Sequence, residues 1–270
     1  MNRADTTTPL PHEPLPPHHL IALFTLVRKE IRRFARIWVQ TVVPPVITTA
    51  LYFVIFGELI GSRIGPIAGH DYMEFIVPGL ILMAIITNAY ANVVSSFFAS
   101  KFQRFIEELL VAPFPNVLIV VGYMCGGIAR GLAVGVVVAL VALLFSDIQI
   151  HSWPVTIAVA LLTAALFALG GFINGIFAKS FDDIAIIPTF VLAPLTYLGG
   201  IFYSVEMLPP FWQQVSLLNP ILYMINAFRY GLLGSSDIDI TLAFAIISAF
   251  LVALFLLSLL LLQRGVGIRH

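Results

Sequence analysis

The sequence predicts an all-α integral membrane protein with six transmembrane helices, an N-terminal interfacial helix before the first, and an outer re-entrant helical hairpin. Three observations predict it. Sixty per cent of the 270 residues are apolar and 10% charged, with mean hydropathy +1.00, whereas soluble domains run nearer half apolar and a quarter charged. The apolar residues fall in long runs bounded by charge, each near the ~20 residues that cross a bilayer. Lysine and arginine collect on one side of those runs. Fourteen basic and fourteen acidic residues would be too few to cover a soluble globule of this length.

The six runs are 38–60, 74–99, 116–145, 153–178, 184–204 and 240–262. With the N-terminus inside, Arg3, Arg28, Lys29, Arg32, Arg33, Arg36, Lys101, Arg104, Lys179, Arg264 and Arg269 share the inner face, and only Arg63 and Arg229 fall outside. Both termini are therefore expected in the cytoplasm. Residues 205–239 are too apolar for an ordinary loop yet broken by Pro209, Pro210 and Pro220. A seventh span there would contain Asn226 and Arg229 and move Arg264 and Arg269 outside, so short helices dipping into the outer leaflet are expected, packed on the spans.

Residues 20–37 read as an amphipathic helix lying along the inner membrane surface, with Leu20, Phe24, Val27, Ile31 and Phe34 on one side and Arg28, Lys29, Arg32, Arg33 and Arg36 on the other. Glu30 falls on the apolar side, within reach of Arg33 one turn later. A plain basic flank to the first span is the alternative. Residues 1–19 are proline-rich, lack the order of a signal peptide and are expected to be a disordered tail, leaving 20–270 as one transmembrane domain.

Several chemistries are excluded. Zero net charge leaves no basic surface for nucleic acid. The single Cys125 permits neither an internal disulfide nor a thiolate metal site, and His12, His18, His19, His70, His151 and His270 are not spaced as ligands, so no metal is expected. The nearest approach to a phosphate-binding loop, GGFINGIFAKS at 170–180, has Ala178 where a glycine must precede Lys179, and it lies in a span rather than a strand-to-helix turn. With no hydrolase motif either, no catalytic residue is expected, and any ATP chemistry belongs to another chain.

Three sets of residues remain as candidates. Gly122, Gly126, Gly127, Gly131 and Gly135 in the third span form overlapping small-xxx-small spacings for helix packing, either between subunits or within the chain, and Gly171 with Gly175 adds another. Arg130 is the only full charge deep within a predicted span; its partners are Asn88, Asn92 or Asn174, or substrate in a wet cavity, unless it snorkels outward. The segment 100–115 is helical in composition until Pro113, and sets Glu107 and Glu108 beside Phe105 and Leu109, a pattern suited to a partner's groove. Buried acidic relays are missing, only Glu58 and Glu74 standing near span edges, which weighs against the alternative of a secondary, ion-coupled transporter.

The stretches VPGLI (77–81), IEELLVAP (106–113), KSFDDI (179–184), LGGIFYSVEMLPPFWQ (198–213) and NPILYMINAFR (219–229) resemble the ABC-type export permeases of the type-two membrane-domain family, and the resemblance covers residues 20–269. It implies a bacterial inner-membrane half-transporter that pairs with a second copy of itself amid membrane lipid and moves substrate out of the cytoplasm by alternating access. Two copies of a separate ABC ATPase subunit would drive it, binding ATP and magnesium, with no cofactor on this chain. By the same resemblance 100–113 is the coupling helix seated in the ATPase, 20–36 the connecting helix, and 205–235 the hairpin closing the exit. Lys179, Asp182 and Asp183 would add a smaller inner contact. Drugs, lipids and lipid-linked glycans all suit an apolar cavity lined by Phe, Leu and Gly.

Overall fold

The computed structural model describes residues 18–67, 69–111, 114–146 and 150–267. All but the end of the expected proline-rich tail, and Pro113 as the stop of the coupling helix, lie outside the described residues. Apart from one bridge between Ile67 and His70, every regular element among the described residues is helical.

The bundle is built around α4 (Tyr72–Phe102), flanked by α6 (Asn116–Ala142) and α7 (Trp153–Phe177). Protein surrounds α4: 83% of its apolar stretch is buried, against 17% for the stretch Trp38–Gly57, which begins with α2 (Trp38–Tyr52), and for α12 (Ile240–Arg264). Those two bury one side in the bundle and leave the rest exposed. Beyond α2 the chain continues through π-helical turns, Phe53–Ile60, into α3 (Gly61–Ile64).

Close approach within this core depends on glycine. A Cβ on Gly131 would stand 2.9 Å from the Ala89 Cβ and 3.0 Å from the Ile85 carbonyl oxygen, while Gly127 abuts Ala168 and Val93, and Gly135 abuts Ile85. Gly122 and Gly126 open a second groove on α6, occupied by Leu26 and Glu30 of α1 (His18–Arg36). All five glycines thus meet neighbours within their own chain, the intrachain form of the expected packing.

The helix α1 also packs on the bundle. Its contacts step from Leu26 on Gly122 to Glu30 on Gly126, so it runs parallel to α6 and docks on it. The helix carries three stripes. Leu26 and Glu30 are buried against protein, Leu20, Phe24 and Ile31 are exposed, and Arg28, Lys29, Arg32 and Arg36 form a basic edge. Hydrophobic periodicity finds the apolar stripe; the protein-facing stripe is mixed, because a buried carboxylate is tolerated where partners answer it.

Among the described residues, five helical stretches are long and apolar enough to cross a membrane: Trp38–Gly57, Tyr72–Phe102, Asn116–Ala142, Trp153–Phe177 and Ile240–Arg264. The sixth expected span, 184–204, is built differently, as α8 (Asp183–Ile187), a π-helical turn Pro188–Leu192 and α9 (Ala193–Tyr197). At 1.5 Å per residue Asp183–Tyr197 reaches about 22 Å, short of the ~30 Å hydrocarbon layer. Pro188 and Pro194 withdraw backbone donors along it, and Gly200, at φ +79°, turns the chain just beyond.

After a short 3-10 turn, Val205–Met207, α10 (Pro210–Leu217) and α11 (Pro220–Leu233) form the expected pair of short helices packed on the spans. Asn219 starts α11: its side-chain oxygen accepts from the Ile221 N–H at 3.0 Å, its amide donates to the Leu195 carbonyl at 2.6 Å, and Pro220 occupies the first turn. α11 is buried on α7, α12 and α4, while Phe211, Trp212 and Leu218 stay exposed on and beside α10.

Candidate functional site

At one end of the bundle α4 stops at Phe102, Arg104 takes a left-handed turn (φ 63°), and α5 (Phe105–Val111) folds back. Its inner face is Ile106, 1% exposed, with Leu109 half-buried on a cluster that includes Leu26, Ile119 and Tyr123. Phe105, Glu107 and Glu108 are exposed. Phe105 and Leu109 were expected to form one outward anchor; instead Leu109 fastens α5 to the bundle, because positions 106 and 109, three apart, share its inner side.

The aromatic surface at this end continues onto the next loop. The Phe102 and Phe181 rings lie 5.3 Å apart, both exposed and both packed on Phe98. Lys101 bridges the same elements, its ammonium donating to the Ile176 and Ala178 carbonyls at 2.6 Å each and so capping the C-terminus of α7. Among the expected contacts of that loop, Lys179 and Asp182 are exposed, while Asp183 folds inward: its carboxylate accepts from the Lys179 and Ser180 N–H groups at 2.8 and 3.1 Å, and its own N–H donates to the Ser180 hydroxyl at 3.2 Å. Asp183 shapes the turn.

Midway along the bundle a polar cluster joins α1, α4 and α6. Glu30, fully buried, accepts from the Ser96 hydroxyl at 2.7 Å and pairs with Arg33 at 3.5 Å and Lys29 at 3.8 Å. Arg33 donates to the Asn92 carbonyl and side-chain oxygens at 2.8 and 2.7 Å. Arg130 donates to the Asn88 side-chain oxygen at 3.4 Å. Of the three asparagines named as partners for Arg130, Asn88 meets it, Asn92 meets Arg33 instead, and the Asn174 amide donates to the Ile184 carbonyl. The carboxylate the sequence did not place at this depth is Glu30; its signal was a lone acid on the wrong side of α1, three residues from an arginine.

At the opposite end sequence reasoning missed a fully buried cation. Arg229, assigned to an outer flank, is 1% exposed. Its guanidinium donates to the Gly200 carbonyl at 2.6 Å and to the Asn226 side-chain oxygen at 3.4 Å, and lies 3.8 Å over the Phe75 ring. The same Asn226 oxygen accepts from the Asp237 N–H at 3.1 Å, and the Asp237 carboxylate accepts from the Ser204 hydroxyl and Val205 N–H at 2.9 and 3.1 Å. Three connections thereby converge on α4: the loop after α9, α11, and the approach to α12.

The arrangement places one buried cation, Arg229, and the partly buried Arg33 and Arg130 inside an apolar helical bundle, with exposed aromatics beside two carboxylates at one end. The one buried carboxylate among the described residues, Glu30, is paired, which does not favour ion-coupled transport. Comparison with known proteins agrees. Residues 21–233 match the family described as ABC-2 type transporter. The chain is similar to inner membrane transport permease YadH of Escherichia coli strain K12, with 60% identity over 249 residues, covering 92% of this chain and 97% of that protein. It is also similar to nodulation protein J of Rhizobium leguminosarum bv. viciae (26% identity, 79% of this chain and 83% of the relative) and of Neorhizobium galegae (27%, 79% and 82%). The chain belongs to the ABC-2 type transporter family, as a multi-pass bacterial inner-membrane permease subunit that works with an ABC ATPase partner.

Proposed function

We propose that the chain is one half of an exporter: two copies pair in the membrane, each seated on one copy of a separate ATPase that binds ATP and magnesium, and this chain holds no cofactor and hydrolyses nothing. Both termini and α5 face the cytoplasm. ATP closes the ATPase pair, the displacement enters through α5, and the two halves alternate between inward and outward access. The observation that carries this reading is the exposed Phe102, Phe105 and Phe181 beside Glu107 and Glu108, an apolar anchor with an acidic rim. Lys179 and Asp182 extend the rim. The α10–α11 hairpin closes the exit.

The test is co-purification. Phe105→Ala together with Phe102→Ala is expected to reduce the ATPase carried by the permease at least tenfold, a loss of about 1.4 kcal/mol or more. Glu107→Gln should weaken it by less, and only at low salt. Stoichiometric ATPase on the double alanine variant would remove α5 as the docking element.

Orientation is checked by thiol labelling. In a Cys125→Ala background, a cysteine replacing Ser235 is expected to react with an impermeant reagent in intact cells and one replacing Ser180 is not. Labelling at 180 alone would invert the topology.

A further inference from the structure

We infer that the polar cluster where α1, α4 and α6 meet receives the anionic head of an amphiphile, and that Arg130 is the residue that holds it. The inference rests on the permease reading and adds to it the chemical class of the cargo.

The cluster gathers Arg33 and Arg130, with the half-exposed Lys29 at its edge, around a single carboxylate, Glu30. That carboxylate is engaged: Ser96, Arg33 and Lys29 all approach it, at 2.7, 3.5 and 3.8 Å. Arg33 has a further answer in the two Asn92 oxygens. Arg130 has one neutral oxygen, on Asn88 at 3.4 Å, no carboxylate within ion-pair distance among the described residues, and Arg33 close enough to repel it.

Donors exceed acceptors here. Three buried donors make no hydrogen bond, the Nε atoms of Arg33 and Arg130 and the side-chain amide nitrogen of Asn92, against one such acceptor, the Glu30 Oε2 that only ion-pairs with Arg33. A guanidinium offers five N–H groups in a fixed fork that fits phosphate or carboxylate in bidentate fashion, and an isolated buried charge is costly until an anion meets it. One bound anion would answer both Arg130 and the excess positive charge.

Depth decides between a resident lipid and cargo. Arg130 stands near the midpoint of the 27-residue α6, about 20 Å from either end, far from both headgroup layers. A boundary phospholipid keeps its phosphate at the surface, so an anion at Arg130 has been drawn into the protein.

Native mass spectrometry of the detergent-purified permease, without ATPase, tests this with three probes: lysophosphatidylglycerol, its zwitterionic counterpart lysophosphatidylcholine, and inorganic phosphate. Wild type is expected to bind the anionic lipid about tenfold tighter than the zwitterion and to bind inorganic phosphate far more weakly than either. Arg130→Gln should abolish the tenfold preference, and Arg130→Lys, which keeps the charge, should retain it within about threefold. Unchanged preference in a folded Arg130→Gln protein overturns the proposal, and so does inorganic phosphate competing at the same concentration as the lipid, which would make this a free-anion site. Because no ATPase is present, either failure leaves the docking reading to its own co-purification test.

Discussion

Arg229→Leu is expected to lower the stability of the detergent-solubilised permease by about 3 kcal/mol or more. Two effects oppose each other. Removing a fully buried cation relieves a desolvation penalty, and where a well-packed apolar replacement exists the exchange can be neutral. Here the replacement orphans the Gly200 carbonyl and one of the donors to Asn226, and a buried polar group left without a partner costs about 1–3 kcal/mol. It also loses a desolvated contact over Phe75 worth about 2 kcal/mol and leaves a void where the guanidinium was. The losses win. Arg229→Met, closer in length, should recover packing but not the bonds, and Arg229→Lys should recover the charge but not the donation in two directions. Unfolding midpoints of the three variants decide it: a leucine variant as stable as wild type would show that this cluster does not hold the hairpin.

The second large effect comes from one methyl group. A Cβ at Gly171 would stand 2.5 Å from the Tyr90 carbonyl oxygen and 3.2 Å from the Val94 nitrogen, both backbone atoms of α4. Side chains can rotate away from an intruder; a buried helix must translate. Gly171→Ala is therefore expected to destabilise by about 3 kcal/mol, the upper range for overpacking. At Gly170 the same methyl would meet only the Tyr90 ring at 3.6 Å, an ordinary contact, so Gly170→Ala should be neutral or gain up to about 1 kcal/mol from helix propensity. Equal effects at the two positions would sink this account of how α4 and α7 meet.

Composition and charge were enough to read the membrane class, five crossing helices and the broken hairpin, because the bilayer imposes length and polarity on every span at once. They failed where lipid and protein compete for one helix. The apolar stripe of α1 reports its exposed side, so Glu30 read as a defect although it is the centre of the α1–α4–α6 cluster. Arg229 read as an outer flank for a related reason: the atoms that satisfy it, on Gly200, Asn226 and Phe75, come from distant parts of the chain, and no local pattern announces them. Segment 184–204 counted as a full span because window averaging ignores the missing backbone donors of Pro188 and Pro194. The family resemblance located α5, but which of its residues point outward followed from Ile106 and Leu109 sharing its inner side.

The ammonium of Lys101 ties the terminus of one central helix to the carbonyls that end another. Helix ends ordinarily fray, and force applied to a frayed end is lost as local unwinding. With this tie, and with the Phe98, Phe102 and Phe181 rings wedged beside it, the ends of α4 and α7 behave as a yoke. A partner that gripped α5 or the loop at 178–183 would therefore meet two helix ends already tied to one another, not two independent ones.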